Sequence, residues 1–163
     1  MVAGRLTEIC MSRTKGVAKD AADQATLKAD HGLVGDAHAG FDHRQVSLLA
    51  ESDIATMRAK GLELEPGAFG ENLIIEGVDT DALGIGSRLR VGDAELEISQ
   101  IGKECHDRCA IYYTTGDCIM PRHGLFAMVR SGGIINRDCR VRVTRARPRL
   151  SSDLPLVAEK TRS

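Results

Sequence analysis

Short apolar runs that alternate with polar residues recur along the chain, and glycine or aspartate bounds most of them. In AELEISQI, Leu96 and Ile98 alternate with Glu95 and Glu97. CRVRV, at residues 139–143, shows the same alternation of valine with arginine. A period of two residues is typical of a strand with one buried face. The pattern therefore predicts several half-buried strands.

Turn and cap signals divide these runs. Gly92 and Asp93 lie between two alternating runs and predict a hairpin. One helix is predicted over ESDIATMRAK, with Ser52 as its N-cap and Gly61 at its end. Many short strands with few short helices predict a mainly β, single-domain, barrel-like fold.

Length, charge and composition exclude several classes of protein. A chain of 163 residues is most simply one domain, and at this size roughly 70% of the unfolded surface is buried on folding. The formal net charge is −1 and aromatic residues make up 3%, so neither the charge nor the stacking surface expected of a nucleic-acid partner is present. We see no secretory pattern and no apolar run of about 20 residues, and therefore expect a cytoplasmic protein without a membrane partner.

Reactive side chains are concentrated in residues 100–124, QIGKECHDRCAIYYTTGDCIMPRHG. This stretch holds three of the five cysteines and two of the five histidines. An odd number of cysteines in a cytoplasmic protein argues against a disulfide framework. Lys103 and His106 flank Cys105, and an arginine precedes Cys109; nearby cations favour a thiolate. We interpret Cys105 and Cys109 as candidate nucleophiles or sulfur carriers.

A zinc site is the alternative for the same stretch. CHDRC, residues 105–109, and CIMPRH, residues 118–123, could each supply a pair of ligands, although the eight residues between the pairs are few for a zinc finger. The other two cysteines, Cys10 and Cys139, lie in strand-like runs. We interpret them as small buried apolar residues.

Two further clusters carry polar chemistry. DHGLVGDAHAGFDHRQ holds three histidines near carboxylates, a set that can bind a metal or move protons; we favour a polar glycine-rich loop because no H-x3-H pair occurs. SRTKG, residues 12–16, follows the first strand and suits a phosphate or carboxylate, although an exposed turn has the same composition. The sequence lacks G-x-G-x-x-G, P-loop and G-x-S-x-G motifs.

The order of these motifs resembles the MOSC domain, named for the C-terminal domain of molybdenum cofactor sulfurases. The matching motifs are SRTKG, GLVGDAHAG, RQVSLLAESDI, GAFGENLIIEGVD, LGIGSRLRVGDAELEISQIGKEC, GDCIMPRHGLFAMVRSGG and CRVRV. The resemblance covers roughly Arg5 to Ala146, most of the chain. The remaining residues, Arg147 to Ser163, are predicted to form an extended or disordered tail. One departure is IINRDCRV, where the family pattern leads us to expect glycine in place of Arg137.

The resemblance implies a β-rich barrel and a role in molybdenum cofactor chemistry. It implies that Cys105 is the sulfur carrier or a metal ligand, with Cys109 as the alternative. The implied activity is sulfurase-like sulfur transfer, and whether the protein turns over a substrate stays open. Pyridoxal phosphate is not expected in this chain, so a separate cysteine desulfurase would supply sulfur. A molybdoenzyme or a cofactor-synthesis protein would receive it.

Molybdopterin, the organic part of the cofactor, presents a phosphate, a dithiolene and a polar pterin. The candidate side chains for binding it are Lys15, Arg44, Lys103, His106 and Arg122. A thiolate suits molybdenum–sulfur chemistry, which makes Cys105 the candidate metal ligand. Two other functions stay open: a molybdenum-dependent oxidoreductase with a cysteine ligand, and a zinc-stabilised binding module without catalysis.

Overall fold

The fold is built mainly from β-strands. The computed structural model describes residues 3–12, 19–37, 39–40, 44–61, 65–68, 71–102 and 124–150. The strands are β1 (Ala3–Met11), β2 (Asp20–Ala22), β3 (Gln24–Lys28), β4 (Gly32–Leu33), β5 (Val46–Ala50), β6 (Leu73–Glu76), β7 (Arg88–Val91), β8 (Ala94–Ile101), β9 (Leu125–Ser131), β10 (Gly133–Asn136) and β11 (Arg140–Arg145). The helix α1 covers Glu51–Arg58, and a short 3-10 helix covers Thr80–Ala82.

Seven of these strands close into a barrel. Their order is β11-β7-β8-β9-β5-β6-β1, and β1 pairs with β11 to complete the ring. The β5–β6 pair is parallel, and the other six pairs of the ring are antiparallel. β2 pairs with β1 outside the ring, while β10, β3 and β4 form a separate three-stranded sheet. The predicted mainly β, barrel-like fold is confirmed.

Alternating side chains fill the barrel. In β8, Leu96 and Ile98 are fully buried, whereas Glu95 and Glu97 lie on the half-exposed face. The same core takes fully buried side chains from every strand of the ring: Leu6, Leu48, Leu73, Leu89, Leu96, Leu125 and Val141. Burying one such side chain contributes about 1.5–3 kcal/mol, so the inward rows supply the main stabilisation of the barrel.

The predicted hairpin is confirmed. β7 ends at Val91, β8 begins at Ala94, and these two residues pair directly across the two-residue turn. Gly92 adopts a φ of 56°, a left-handed conformation that glycine takes without steric cost.

The predicted helix is present, but its predicted N-cap is wrong. α1 begins at Glu51, Ala50 is its N-cap, and no side chain caps it, so Ser52 lies inside the first turn. The reason is that β5 continues directly into the helix and leaves no loop residue to cap it. The helix ends at Arg58, two residues earlier than predicted, with Ala59 as its C-cap, and Gly61 follows with a φ of 97°. Ile54 and Met57 are buried where α1 packs on β5 and β6. No helix of the described ranges is long and apolar enough to cross a membrane.

The turn of IINRDCRV, which departs from the expected family pattern, is formed without a glycine. Asp138, rather than Arg137, takes the left-handed conformation, with a φ of 74°. The Asp138 N–H donates to the Leu6 carbonyl at 2.7 Å, and the Arg137 guanidinium lies 3.4 Å from the Glu8 carboxylate. The substitution therefore leaves the β10–β11 connection intact, because residue 137 needs no positive φ.

The chain after β11 contacts the barrel at its described end. The Arg147 N–H donates to Ser87 Oγ at 2.9 Å. The Arg149 guanidinium donates to the carbonyls of Leu83, at 3.1 Å, and Thr80, at 2.9 Å. Residues 151–163 lie outside the described part, so the extended or disordered character of the tail stays a prediction.

Two truncations test the tail. Ending the chain after Leu150 is expected to change the free energy of unfolding by less than about 0.5 kcal/mol, because residues 151–163 have too little apolar surface to bury. Ending it after Arg147 also removes the two hydrogen bonds of Arg149 and is expected to cost about 1–3 kcal/mol more, with soluble expression retained. Urea unfolding followed by circular dichroism measures both. If the variant that ends after Arg147 is insoluble, the tail is part of the folded domain.

Candidate functional site

Most of the predicted site residues lie outside the described part of the chain. Arg44 is described; Lys15, Lys103, Cys105, His106, Cys109 and Arg122 are not. The ligand pairs of the zinc alternative also lie outside the described part. The structure instead gives the residues at which the two reactive segments join the barrel, namely Ser12 and Lys19 on either side of residues 13–18, and Gly102 and Gly124 on either side of residues 103–123.

Asp36 binds both ends of the segment that contains Lys15. The Ser12 N–H donates to Asp36 Oδ1 at 3.1 Å, and Lys19 Nζ donates to the same oxygen at 2.8 Å. The Ala37 N–H donates in turn to the Ser12 carbonyl at 2.7 Å. The motifs SRTKG and GLVGDAHAG are therefore held together at a single carboxylate.

The Lys19–Asp36 ion pair is fully buried. Neither side chain has exposed surface. Transfer of two charges from water into a protein interior costs several kcal/mol per ion, and only a close, well-oriented contact offsets that cost. Removal of one partner would leave the other charge buried without its counter-ion. The pair therefore fixes one geometry for the chain on both sides of residues 13–18.

A third motif, GAFGENL, packs against the backbone of Lys19. The Lys19 N–H donates to the Gly67 carbonyl at 2.9 Å, and the Gly67 N–H donates to the buried Glu71 carboxylate at 3.0 Å. A Cβ at residue 67 would lie 2.0 Å from the Lys19 carbonyl oxygen, and the φ of Gly67 is 90°. Only glycine permits this close approach.

Asn72 links β6, β5 and β1 through a buried hydrogen-bond network. Its Oδ1 accepts from the Ser47 N–H at 3.0 Å, and its Nδ2 donates to the Cys10 carbonyl at 3.1 Å. The backbone of Asn72 adds three bonds: its carbonyl accepts from the Cys10 N–H at 2.6 Å, and its N–H donates to Ser47 Oγ and to the Ser47 carbonyl, each at 3.0 Å. Buried polar groups with several partners rigidify their surroundings, so this network fixes the end of β1 that leads to Ser12.

Neither described cysteine suits a nucleophilic role. Burial, followed by the charge of the Glu71 carboxylate, raises the pKa of the Cys10 thiol to about 12. Burial also raises the pKa of Cys139, which lies half-buried in the turn before β11. A thiolate is the reactive form, and both groups are protonated thiols at neutral pH. The interpretation of Cys10 as a buried apolar residue is confirmed.

Arg44 lies beside the point where residues 103–123 join the barrel. Its guanidinium carbon is 5.9 Å from the centre of the Phe126 ring, in β9. Two residues before Phe126, the Gly124 carbonyl accepts the Gly102 N–H at 2.6 Å, so the two ends of the cysteine-bearing segment are adjacent. The one described cation of the predicted site thus lies next to the base of that segment.

Gln45 connects the loop after β3 to the same strand. Its Nε2 donates to Asp30 Oδ1 at 3.2 Å, and its Oε1 accepts the Val129 N–H at 3.1 Å. The Asp30 N–H donates to the Val129 carbonyl at 2.8 Å. The loop that leads to Asp36 is therefore attached to β9, the strand that also contacts Arg44.

The histidine cluster of the same loop is only partly described. The His31 carbonyl accepts the Gly40 N–H at 2.6 Å, which gives this histidine a place in a tight loop. Across the described ranges, no three His, Cys, Asp or Glu side chains come close enough to hold a metal ion. Asp36 pairs with Lys19, as described above.

Lys19 is the main residue that sequence reasoning missed. It lies in VAKDAA, where no periodicity or motif marks it as buried. Lysine is almost never fully buried unless it is paired, and its partner is 17 residues away along the chain. Only the folded structure shows that Lys19 pairs with Asp36.

Removal of one charge from the buried pair is expected to be costly. Asp36→Asn should lower the free energy of unfolding by about 3–5 kcal/mol, because the Lys19 ammonium stays buried without its counter-ion. The double variant Lys19→Met/Asp36→Leu should lose much less than the sum of its single variants. Urea unfolding measures all of them, with Glu51→Gln, in the partly exposed Arg58–Glu51 pair, as a control expected below about 1 kcal/mol. Additive losses in the double variant would contradict the assigned coupling.

Comparison with known proteins identifies the fold. The YUAD protein of Bacillus subtilis superposes with a TM-score of 0.69 at 18% identity, over 89% of this chain and 97% of that protein. YiiM of Escherichia coli superposes with a TM-score of 0.63 at 20% identity, over 88% of this chain and 71% of that protein. YiiM of Geobacillus stearothermophilus superposes with a TM-score of 0.62 at 16% identity, over 86% of this chain and 73% of that protein. At these identities the similarity shows a shared fold. No curated protein matches the chain.

The sequence model of the MOSC domain matches residues 35–142. The match begins beside Asp36, includes Arg44 and the whole of residues 103–123, and ends within β11. It extends over about two thirds of the chain, and the barrel strand β1 lies before it. The chain therefore belongs to the MOSC domain family.

Proposed function

We propose that this protein binds molybdenum cofactor and carries sulfur as a persulfide on Cys105. The observation that carries the proposal is the MOSC match over residues 35–142, a family known for binding this cofactor. The match includes both candidate carrier cysteines and every candidate cofactor-binding residue except Lys15.

The described surroundings of residues 103–123 fit an anionic, phosphate-bearing cofactor. Arg44 is half-buried against Phe126, and a guanidinium in such a place suits a phosphate because it donates two parallel hydrogen bonds. Lys15, Lys103, His106 and Arg122 are the further cations proposed to bind the same group. When bound, the cofactor supplies a molybdenum centre that accepts sulfur.

The high pKa of the described cysteines supports a carrier within residues 103–123. Cys10 and Cys139 are protonated at neutral pH and are poor nucleophiles. Cys105 follows Lys103 and precedes His106, and adjacent positive charge favours the thiolate. Cys109 is the second candidate because Arg108 precedes it.

In the proposed loading step, a neutral sulfur atom moves from the donor enzyme to Cys105. The Cys105 thiolate attacks the outer sulfur of a persulfide on the donor enzyme, and a new S–S bond forms at Cys105. The S–S bond of the donor breaks, and the donor cysteine leaves as a thiolate. No electrons are gained or lost overall. The proposed donor is a separate cysteine desulfurase.

Release is a two-electron reduction of the carried sulfur. The Cys118 thiolate attacks the inner sulfur of the Cys105 persulfide, a Cys105–Cys118 disulfide forms, and the outer sulfur leaves as sulfide. Cys105 and Cys118 supply the two electrons as they form the disulfide. A thiol reductant of the cytoplasm then reduces this disulfide and restores both thiols. The proposed acceptor is cofactor destined for a molybdoenzyme or still held by a cofactor-synthesis protein.

Persulfide mapping tests the carrier. Wild type, Cys105→Ala, Cys109→Ala and Cys10→Ala are each incubated with a cysteine desulfurase and cysteine. Intact-mass and peptide analysis then locate the added sulfur. Wild type and Cys10→Ala are expected to gain one sulfur atom on Cys105, and Cys105→Ala none, because the Cys10 thiol is buried and protonated.

Other outcomes would reassign the residue or the function. Full labelling of Cys105→Ala, together with loss of labelling in Cys109→Ala, would make Cys109 the carrier. Absence of labelling from every variant while cofactor is bound would contradict sulfur transfer and favour a cysteine that ligates molybdenum.

A further inference from the structure

The outer face of β7 and β11 carries arginines that no described carboxylate neutralises. We call Arg90, Arg140 and Arg142 the arginine face. The guanidinium groups of these three residues make no hydrogen bond or ion pair within the described ranges. Arg90 and Arg140 are exposed, and Arg142 is half-buried.

The register of the barrel brings these charges together. Arg142 lies directly opposite Arg90 in the β11–β7 pair, and Arg140 lies opposite Arg5 in the β1–β11 pair. The neighbouring pair Val141–Val91 is fully buried in the core, so the arginines lie on the outer face. Like charges directly opposite each other destabilise an antiparallel pair. Folding alone therefore gives no reason for this arrangement.

Nearby arginines differ from those of the arginine face, because each forms an ion pair with a carboxylate. Arg5 pairs with Glu76 at 2.9 Å, Arg88 with Glu97 at 3.0 Å, and Arg130 with Glu97 at 3.2 Å. Burial pushes the pKa of Glu97 upward, but hydrogen bonds from Arg130 and Arg88 bring it below its ordinary value. Glu97 is thus an ionised group that already pairs with three arginines, because Arg145 also lies 3.8 Å from its carboxylate.

Arg90 has Arg142 of β11 opposite it on one side of β7 and Glu95 of β8 opposite it on the other side. The described hydrogen bonds and ion pair of Glu95 go to residues other than Arg90. Its Oε1 accepts from Arg88 at 3.4 Å, and its Oε2 accepts from Thr144 Oγ1 at 3.3 Å. The excess positive charge of this side of the barrel is therefore concentrated at the arginine face.

We infer that the arginine face docks an extended acidic segment of a partner protein. Arg140 and Arg142 are two residues apart along one strand, so their side chains leave the sheet roughly 6.5–7 Å apart. Carboxylates at alternate positions of an extended segment have the same spacing. Arginine is also the cation favoured at protein interfaces, because its planar group binds a carboxylate through two hydrogen bonds.

The neighbouring carboxylates favour a protein over a nucleic acid. Glu95 and Glu97 lie on β8, the strand beside β7, and would repel a continuous phosphate backbone. A protein segment can place its carboxylates at the arginines alone. The chain as a whole has a net charge of −1, which also disfavours nonspecific attachment to nucleic acid. The three arginines are not among the residues proposed to bind the cofactor, and the inference does not depend on that function.

Binding of a defined peptide tests the inference. The probe is a fluorescent peptide with glutamate at alternate positions, and anisotropy measures its affinity for the full chain. We expect wild type to bind, and R90Q/R142Q to bind about tenfold more weakly. The matched control R88Q/R130Q removes the same charge from arginines that already have carboxylates, and its affinity should fall by less than about threefold.

A stability measurement separates binding from folding. R90Q/R142Q is expected to have a Tm equal to or above that of wild type, because the substitution relieves the opposed like charges. Three results would overturn the inference: absence of peptide binding by wild type, equal loss of affinity in both double variants, or tighter binding of duplex DNA than of the peptide at about 0.15 M salt.

Discussion

Pairing of the first strand of the barrel with its last strand is the constraint on which the rest of the structure depends. β1 joins β6 on one side and β11 on the other, and Gly4 permits the approach of β6 because a Cβ there would lie 2.0 Å from the Glu76 carbonyl oxygen. From this closure β1 continues to Ser12, whose N–H donates to Asp36. β11 pairs on its other side with β7, which brings Arg142 opposite Arg90. The two strands that close the barrel therefore lead to the candidate site and carry part of the arginine face.

Rigid, buried polar contacts surround the segments proposed to do the chemistry. The Lys19–Asp36 pair, Gly67 and the Asn72 network hold the chain on either side of residues 13–18. Glycine backbones pair at the ends of residues 103–123. A site that must hold an anion beside a thiolate benefits from such fixed supports, since binding then orders fewer groups. The two described cysteines belong to the supporting structure, because their raised pKa values keep them protonated.

The sequence predicts the parts of the fold that depend on local pattern. Alternation correctly identified the buried face of β8, and Gly92 the hairpin, because burial and turn geometry act on neighbouring residues. The predicted cap at Ser52 failed because β5 passes into α1 without a loop. The Lys19–Asp36 pair and the Arg142–Arg90 opposition could not be predicted, since each depends on contacts between distant parts of the chain. Of the predicted site residues, only Arg44 lies in the described part of the structure.

The central claim is that this MOSC protein holds molybdenum cofactor rather than a structural metal. Elemental analysis of the full chain, purified without chelators from cells supplied with molybdate, tests it most directly. The account predicts molybdenum approaching one atom per chain and zinc well below that ratio. Stoichiometric zinc without molybdenum, lost in a Cys109→Ser/Cys118→Ser variant, would contradict the account and show a zinc-stabilised module instead.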